Sequence, residues 1–244
     1  MPESVLVEAR GVSKAYPTQA GPVSALREVN LAVRAGELVA LVGPTGSGKT
    51  TLLNLLAGLE TPDAGVVVLA GEELGALNED GRADRRVRLV GMVFQRFNLF
   101  PGFTVLENVG LPLRLMPRPP FDAHRRAREL LAQFGLAELA DRYPAELSQG
   151  QRQLVAVARA LAGDPPLILA DEPTANLDSQ AARAILARLR SLAADGKHGV
   201  LLATHDVRAA SQADRVLSLR DGRIVKETRL EAGRDSRSVL AELV

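Results

Sequence analysis

Eight consecutive residues carry the clearest chemistry in the chain. Gly43 to Thr50 reads GPTGSGKT and matches the pattern G-x-x-x-x-G-K-[ST]. Gly43, Gly46 and Gly48 free the backbone to turn, so that successive N–H groups point into one concavity. A nest of that kind at the start of a helix attracts phosphoryl oxygens. Pro44, Thr45 and Ser47 complete the loop, and Thr51 follows it into the helix. Lys49 supplies a point charge for the outer phosphates, and the Thr50 hydroxyl suits Mg²⁺, a hard cation that prefers oxygen. A glycine-rich turn with an accidental lysine is the bland alternative. The apolar run before the loop (ELVALV, Glu37 to Val42) and the helical spacing after it argue against that, because a strand–loop–helix context is what this motif requires. The motif alone implies a nucleoside triphosphate with Mg²⁺ and leaves the reaction open.

A second cluster lies further along, in LILADEPT at Leu167 to Thr174. Four apolar residues followed by two acids suggest a buried strand that delivers carboxylates to the carboxyl edge of a sheet, where ligands sit in such folds. Asp171 is placed to hold the Mg²⁺ shell and Glu172 to polarise an attacking water. By itself the pair could be a solvated strand end; the phosphate loop upstream makes the functional reading the better one.

The elements that must position these groups follow from periodicity. Val5 to Val12 and Leu26 to Val33 read as extended, separated by the turn-rich YPTQAGP. Helical spacing covers Thr50 to Leu59. Strand-sized apolar runs recur at 65–69, 89–94, 167–170, 200–203 and 216–219, with helical patterns between several of them. From Thr104 to Gly163 the patterns are helical without a convincing strand, broken once by Pro112, Pro117, Pro119 and Pro120. Asp122 is an N-cap candidate, and Ser148 to Leu161 forms a further helix. Strands alternating with helices suggest an α/β fold with a largely parallel sheet and a helical lobe inserted into it; the family resemblance carried by the full set of motifs implies, more finely, a P-loop NTPase (RecA-like) core with an N-terminal antiparallel β subdomain and an inserted helical subdomain. The core and β subdomain occupy 1–94 and 164–228, the helical subdomain 95–163, and a polar tail 229–244. The basic stretch Arg82 to Arg88 and the pair Arg125–Arg126 read as solvated faces.

Composition narrows the function classes. Of 244 residues, 30 are Lys or Arg and 29 Asp or Glu, a formal charge of +1, which argues against a free-standing nucleic-acid binder. Aromatic residues make up 3%, with no Trp, so stacking platforms for single strands are not expected. There is no Cys, hence no disulfide or thiolate site. The opening MPESVLVEAR lacks a basic stretch followed by an apolar run, and no run approaches the ~18 apolar residues of a spanning helix. Membrane association is therefore expected through a partner.

Between the two clusters lies LSQGQ, Leu147 to Gln151, opening a helix. With the other motifs in order and at matching spacing, the chain from about 4 to 228 resembles the ATP-binding subunits of ABC transporters. The resemblance implies ATP and Mg²⁺ as ligands and a role for each matching residue. Tyr16 would stack on adenine. Gln95, in VFQRFNLFP, would touch Mg²⁺ and the attacking water, and Arg96 to Pro101 would meet an integral membrane permease. Ser148 and Gly150 would contact the γ-phosphate held by a second copy of the chain, with Asp178 at the interface. His205 would hydrogen-bond the γ-phosphate. Two ATPs would thus be sandwiched in a head-to-tail pair. The protein would sit on the cytoplasmic face of the cell membrane, with no nucleic-acid partner. Long coiled-coil or zinc insertions, as in DNA-repair ATPases that share these motifs, have no counterpart between Gln95 and Ser148. ILADEPTANLD, the loop TQAGPVSALREV and ENVGLPLRL resemble the lipoprotein-releasing and macrolide-exporting group, whereas GMVFQRFNLFP resembles polar amino-acid importers. Two positions depart from the family pattern: Gln149 replaces a signature glycine, and Leu154 stands where many members carry Arg.

Overall fold

The computed structural model describes residues 4–19, 21–175 and 177–230. Strands β1 (Val5–Tyr16) and β2 (Val23–Arg34) pair antiparallel, and β3 (Leu38–Val42) follows. Helix α1 (Lys49–Leu56) leads to β4 (Ala64–Leu69), β5 (Glu72–Glu73), α2 (Glu79–Leu89) and β6 (Val90–Val93). Three helices come next: α3 (Val105–Leu115), α4 (Ala123–Gln133) and α5 (Gln149–Ala160). The chain then returns through β7 (Leu167–Asp171), α6 (Ser179–Ala194), β8 (Gly199–Thr204), the short α7 (Val207–Ala210), β9 (Arg215–Arg220) and β10 (Arg223–Arg229).

Two sheets result. The first is antiparallel, in the order β2-β1-β4-β5; the second has the order β10-β9-β3-β8-β7-β6, parallel from β9 to β6 with β10 as an antiparallel edge. The central strands β3, β7 and β8 are near-continuous apolar runs, with Asp171 and Thr204 only at their ends, because both of their faces are covered. In β3, Val39 and Leu41 face the cluster shared with α1 and the first sheet, while Leu38 and Ala40 face the one shared with α5 and α6. Eight residues are too few for a helix stable in isolation. Helix α1 persists because Leu52, Leu53, Leu55 and Leu56 are all fully buried between the sheets, each contributing roughly 1.5–3 kcal/mol.

Several sequence expectations shift. Helix α1 ends at Leu56 rather than Leu59, since Gly58 has φ +66° and the chain turns there. Pro112 does not break its helix: α3 runs on to Leu115 around it, losing only the N–H that would have bonded the Asn108 carbonyl, and stops before Pro117. Arg82 to Arg88 is helical and not simply solvated. Arg82 donates to the Leu77 carbonyl and Arg86 to that of Gly58, while Arg85 and Arg88 pair with Glu72 and Asp84. Arg126 lies 4.7 Å over the Phe121 ring, whereas Arg125 is exposed beside Glu129. Arg229, expected to begin the tail, closes β10; the tail beyond Leu230 lies outside the described residues.

Candidate nucleotide-binding site

Strand register sets the site. Val42 pairs with Thr204, Asp171 with Ala203 and Val93 with Ala170, so β3, β8, β7 and β6 end at one edge of the parallel sheet. The loop Gly43–Thr50, His205, Asp171–Glu172 and Gln95 leave the sheet side by side there. This carboxyl edge is where open α/β sheets bind ligands.

The loop has the conformation its glycines require. Gly46 and Gly48 have φ of +82° and +105°, a region closed to most side chains. A Cβ on Gly43 would run into the Leu219 carbonyl and the Ser47 hydroxyl, and one on Gly48 into the Ala25 carbonyl. The loop is thus wedged between β2 and β9. Lys49, largely buried, donates to the carbonyls of Gly43 (2.8 Å) and Pro44 (3.1 Å), folding its ammonium back across the nest. Ser47 Oγ is buried without a hydrogen-bond partner. A buried hydroxyl left unpaired costs stability unless a ligand completes it.

Thr50 Oγ1 donates to Asp171 Oδ2 at 2.8 Å. Burial pushes the Asp171 carboxyl up from its usual range, opposed by the Thr50 hydrogen bond. A buried acid with a hydroxyl beside it is a fitting donor set for a hard divalent cation that takes its other ligands from water and phosphate. Among the described residues no three His, Cys, Asp or Glu side chains converge to hold a metal alone. The residues fit both groups.

Glu172 follows at φ +45°, a conformation that costs a non-glycine residue roughly 1–3 kcal/mol. The turn is held by its own N–H, which donates to the Ala203 carbonyl at 2.9 Å. It delivers the carboxylate to His205, whose Nδ1 lies 2.9 Å from Glu172 Oε1, with Lys49 Nζ 3.8 Å from the same oxygen. A carboxylate can only accept, so Nδ1 carries the proton and the exposed Nε2 faces outward. Asp206 caps the turn that follows, accepting from the Arg208 N–H.

Other expected residues sit apart from this cluster. Tyr16 ends β1 with its hydroxyl donating to Glu60 Oε2 at 2.6 Å. Gln95 is exposed in the turn after β6, and no hydrogen bond among the described residues ties it to Asp171 or Glu172. Ser148 caps α5, accepting from the Gln151 N–H at 3.2 Å while Gln151 accepts from the Ser148 N–H. Gly150 packs against Ala181 in the first turn of α6, and Asp178 caps α6 through the N–H groups of Gln180 and Ala181. Among the described residues, no hydrogen bond joins Ser148 or Gly150 to the loop. As for the departures, Gln149 is exposed at the start of α5, and Leu154 packs partly buried on the core of the helical layer.

Three further side chains border the site, Asn108 from within ENVGLPLRL and the other two from outside the motifs. Arg159, buried on α5, donates to the carbonyls of Phe97 and Asn98 just beyond Gln95. Desolvation pulls its guanidinium down to about 10. Asn108, fully buried on α3, accepts from the Phe100 N–H and donates to the Phe100, Phe103 and Thr104 carbonyls. Glu60 receives Tyr16. The only sequence signal for the first two is a polar residue in an otherwise apolar helical stripe. Beside the segment they hold, a groove of about 670 Å³ opens between α2, β6, α3 and α5, lined by Leu59, Val87, Met92, Phe100, Leu115 and Arg159.

A parallel sheet with a glycine-rich loop opening α1, a lysine folded over it, and an Asp–Glu pair on the neighbouring strand edge define a P-loop nucleoside triphosphatase. Residues 26–175 match the family model described as ABC transporter. A lipoprotein-releasing system ATP-binding protein LolD from Pseudomonas fluorescens is 46% identical over 92% of this chain and 99% of its own. An uncharacterized ABC transporter ATP-binding protein, MJ1508 of Methanocaldococcus jannaschii, is 41% identical over 91% of this chain and 98% of its own. The dimeric post-hydrolysis structure of the ATP-binding cassette MJ0796 bound to ADP and Pi superposes with a TM-score of 0.87 at 40% identity, covering 93% of this chain and 99% of that one. The chain belongs to the ABC transporter family, as one of its ATP-binding ATPase cassettes.

Proposed function

We propose that the chain is the ATP-hydrolysing subunit of a lipoprotein-releasing type of transporter, working as two copies that close around two nucleotides. The observation that carries the ATPase reading is the convergence of Lys49, Thr50, Asp171, Glu172 and His205 on one sheet edge. The names of relatives such as LolD support the transporter type.

The loop N–H groups and Lys49 bind the phosphates, Lys49 exchanging its carbonyl partners for phosphate oxygens. Thr50, Asp171 and Gln95 would hold magnesium, which when bound neutralises phosphate charge and fixes the phosphate orientation. Glu172 accepts a proton from the water as its oxygen bonds to the γ-phosphorus and the β,γ-bridging bond breaks, giving ADP and phosphate. His205 holds Glu172 through Nδ1–H, and donation to the γ-phosphate from Nε2 requires that nitrogen to carry a proton as well. Tyr16 stacks on adenine. Ser148 and Gly150 bond nothing in their own phosphate loop, which supports their service to the opposite copy, with Asp178 at that interface. The subdomain division at 95 and 163 is part of the same reading.

No described helix is long and apolar enough to cross a membrane. The groove beside 96–101, with the exposed Phe100 in its lining and Phe103 stacked on that ring, supports docking of an apolar segment from an integral membrane subunit on the cytoplasmic face. Two measurements test the proposal. Lys49→Ala should abolish ATP binding in a titration, and unchanged affinity would remove Lys49 from its role. Co-purification with the product of the adjacent reading frame should recover a protein of four spanning helices with a large external domain. A five- or six-helix permease working beside a periplasmic binding protein would refute the lipoprotein-release assignment.

A further inference from the structure

The two ends of a nucleotide must be met by parts of the chain that are far apart in sequence, the phosphate loop at 43–50 and the ring of Tyr16. The structure joins them through Glu60. This carboxylate follows α1 by four residues and accepts on both oxygens: Oε2 from the Tyr16 hydroxyl at 2.6 Å and Oε1 from Asn54 Nδ2 at 2.9 Å. Asn54 lies on α1, the helix that Lys49 and Thr50 open, and its own carbonyl accepts from the N–H groups of Leu59 and Glu60. On its other side Tyr16 has the Lys14 ammonium 5.7 Å from the ring centroid, and Lys14 is itself held by the Thr61 carbonyl and Asp63. The ring at the end of β1 is therefore tied to α1 and to the 60–63 turn, and not only to its own strand.

We propose that Glu60 is a positioning residue for base recognition: by holding the Tyr16 hydroxyl to Asn54, it fixes the tyrosine ring at the height above the phosphate loop that an adenine requires. A tyrosine restrained by one χ1 rotamer alone would lose rotamer freedom on binding the base. A ring already anchored at its hydroxyl does not, so the anchor acts as pre-organisation. The inference rests on the reading that Tyr16 stacks on adenine, and it names the residue through which that stacking is set.

The effect must then appear in the base and not in the phosphates. The test compares the affinity of the full chain for ATP and for inorganic triphosphate, each with Mg²⁺, by calorimetric titration. Glu60→Leu should weaken ATP about three- to tenfold, the scale of one lost pre-organising contact, and leave triphosphate unchanged. Tyr16→Phe should give the same split, and the double substitution should be no worse than either single one, because both remove one link. Glu60→Gln should stay near the parent: its amide oxygen can still accept from Asn54, and its NH₂ can donate to a tyrosine hydroxyl that accepts as well as donates. Equal weakening of ATP and triphosphate by Glu60→Leu would make Glu60 a support of α1 and overturn the inference, as would no weakening at all. Tyr16→Ala separates the two levels. It should cost ATP about tenfold or more, the scale of base–aromatic stacking. If it does while Glu60→Leu costs nothing, only the positioning role fails; if it costs nothing, the stacking reading itself fails.

Discussion

Replacing Arg159 by Met tests whether the segment after Gln95 is held in place by the signature helix. Arg159 is 8% exposed, and its guanidinium donates to two backbone carbonyls, Phe97 O at 2.8 Å and Asn98 O. Hydrogen bonds from a charged group contribute about 1.5–3 kcal/mol each, so the pair contributes about 3–6. Against this stands burial, which lowers the group from 12.5 to about 10. At about 1.4 kcal/mol per factor of ten, that costs about 3.5 kcal/mol. The net contribution to global stability is therefore small, about 0–3 kcal/mol, and methionine replaces much of the apolar stem. Locally the balance differs. Phe97 and Asn98 both have positive φ, 58° and 47°, each uphill by roughly 1–3 kcal/mol for a side-chain-bearing residue. With the carbonyls released, that strain favours opening. Urea unfolding of Arg159→Met should show a loss within about 3 kcal/mol, while amide exchange across 96–100 accelerates about tenfold or more. A global loss above about 5 kcal/mol would make Arg159 a structural keystone and not a local clamp. Unchanged exchange in the segment would refute the clamp outright.

Two other substitutions probe the chemistry directly. Glu172→Gln should retain ATP, slow turnover by about 100-fold or more, and accumulate as a dimer on size exclusion with ATP and Mg²⁺; a chain that stays monomeric there counts against the shared site. Asp171→Asn should raise the melting temperature of the nucleotide-free protein by about 2–4 °C at neutral pH, while Mg²⁺-dependent hydrolysis is lost. The sign follows from burial, which raises Asp171 and so penalises its charged form in the folded state. That penalty is present above the raised value and vanishes as pH falls through the ordinary carboxylate range, so the gain should disappear in acid. A lower melting temperature at neutral pH would contradict it.

The phosphate loop and the Asp–Glu pair were legible because each is a run of adjacent residues whose types have one good use. The central strands were legible because burial on both faces forces continuous apolar runs. Helix α2 was not, since it buries none of its residues and so carries no apolar stripe. Its arginines read as solvated, although Arg86 reaches the Gly58 carbonyl. Strand β10 escaped for a related reason: an edge strand with Arg223, Lys226, Glu227 and Arg229 has little apolar alternation and is defined by its pairing with β9. Pro112 misled because a helix packed on a core tolerates one missing hydrogen bond.

The residue types alone determined that this chain carries a glycine-rich loop of the phosphate-binding pattern at Gly43–Thr50, places an acid pair after a buried strand, and builds an α/β layer around them. Those properties are local in sequence: a loop conformation, a strand end, a helical period. Only the tertiary structure decided that Glu172 meets His205 and Lys49, that Thr50 meets Asp171, that Arg159 fastens the segment after Gln95, and that Glu60 ties Tyr16 to α1. Those pairs lie up to 123 residues apart, as for Lys49 and Glu172. Their contact depends on strand order and register, which side-chain periodicity does not encode.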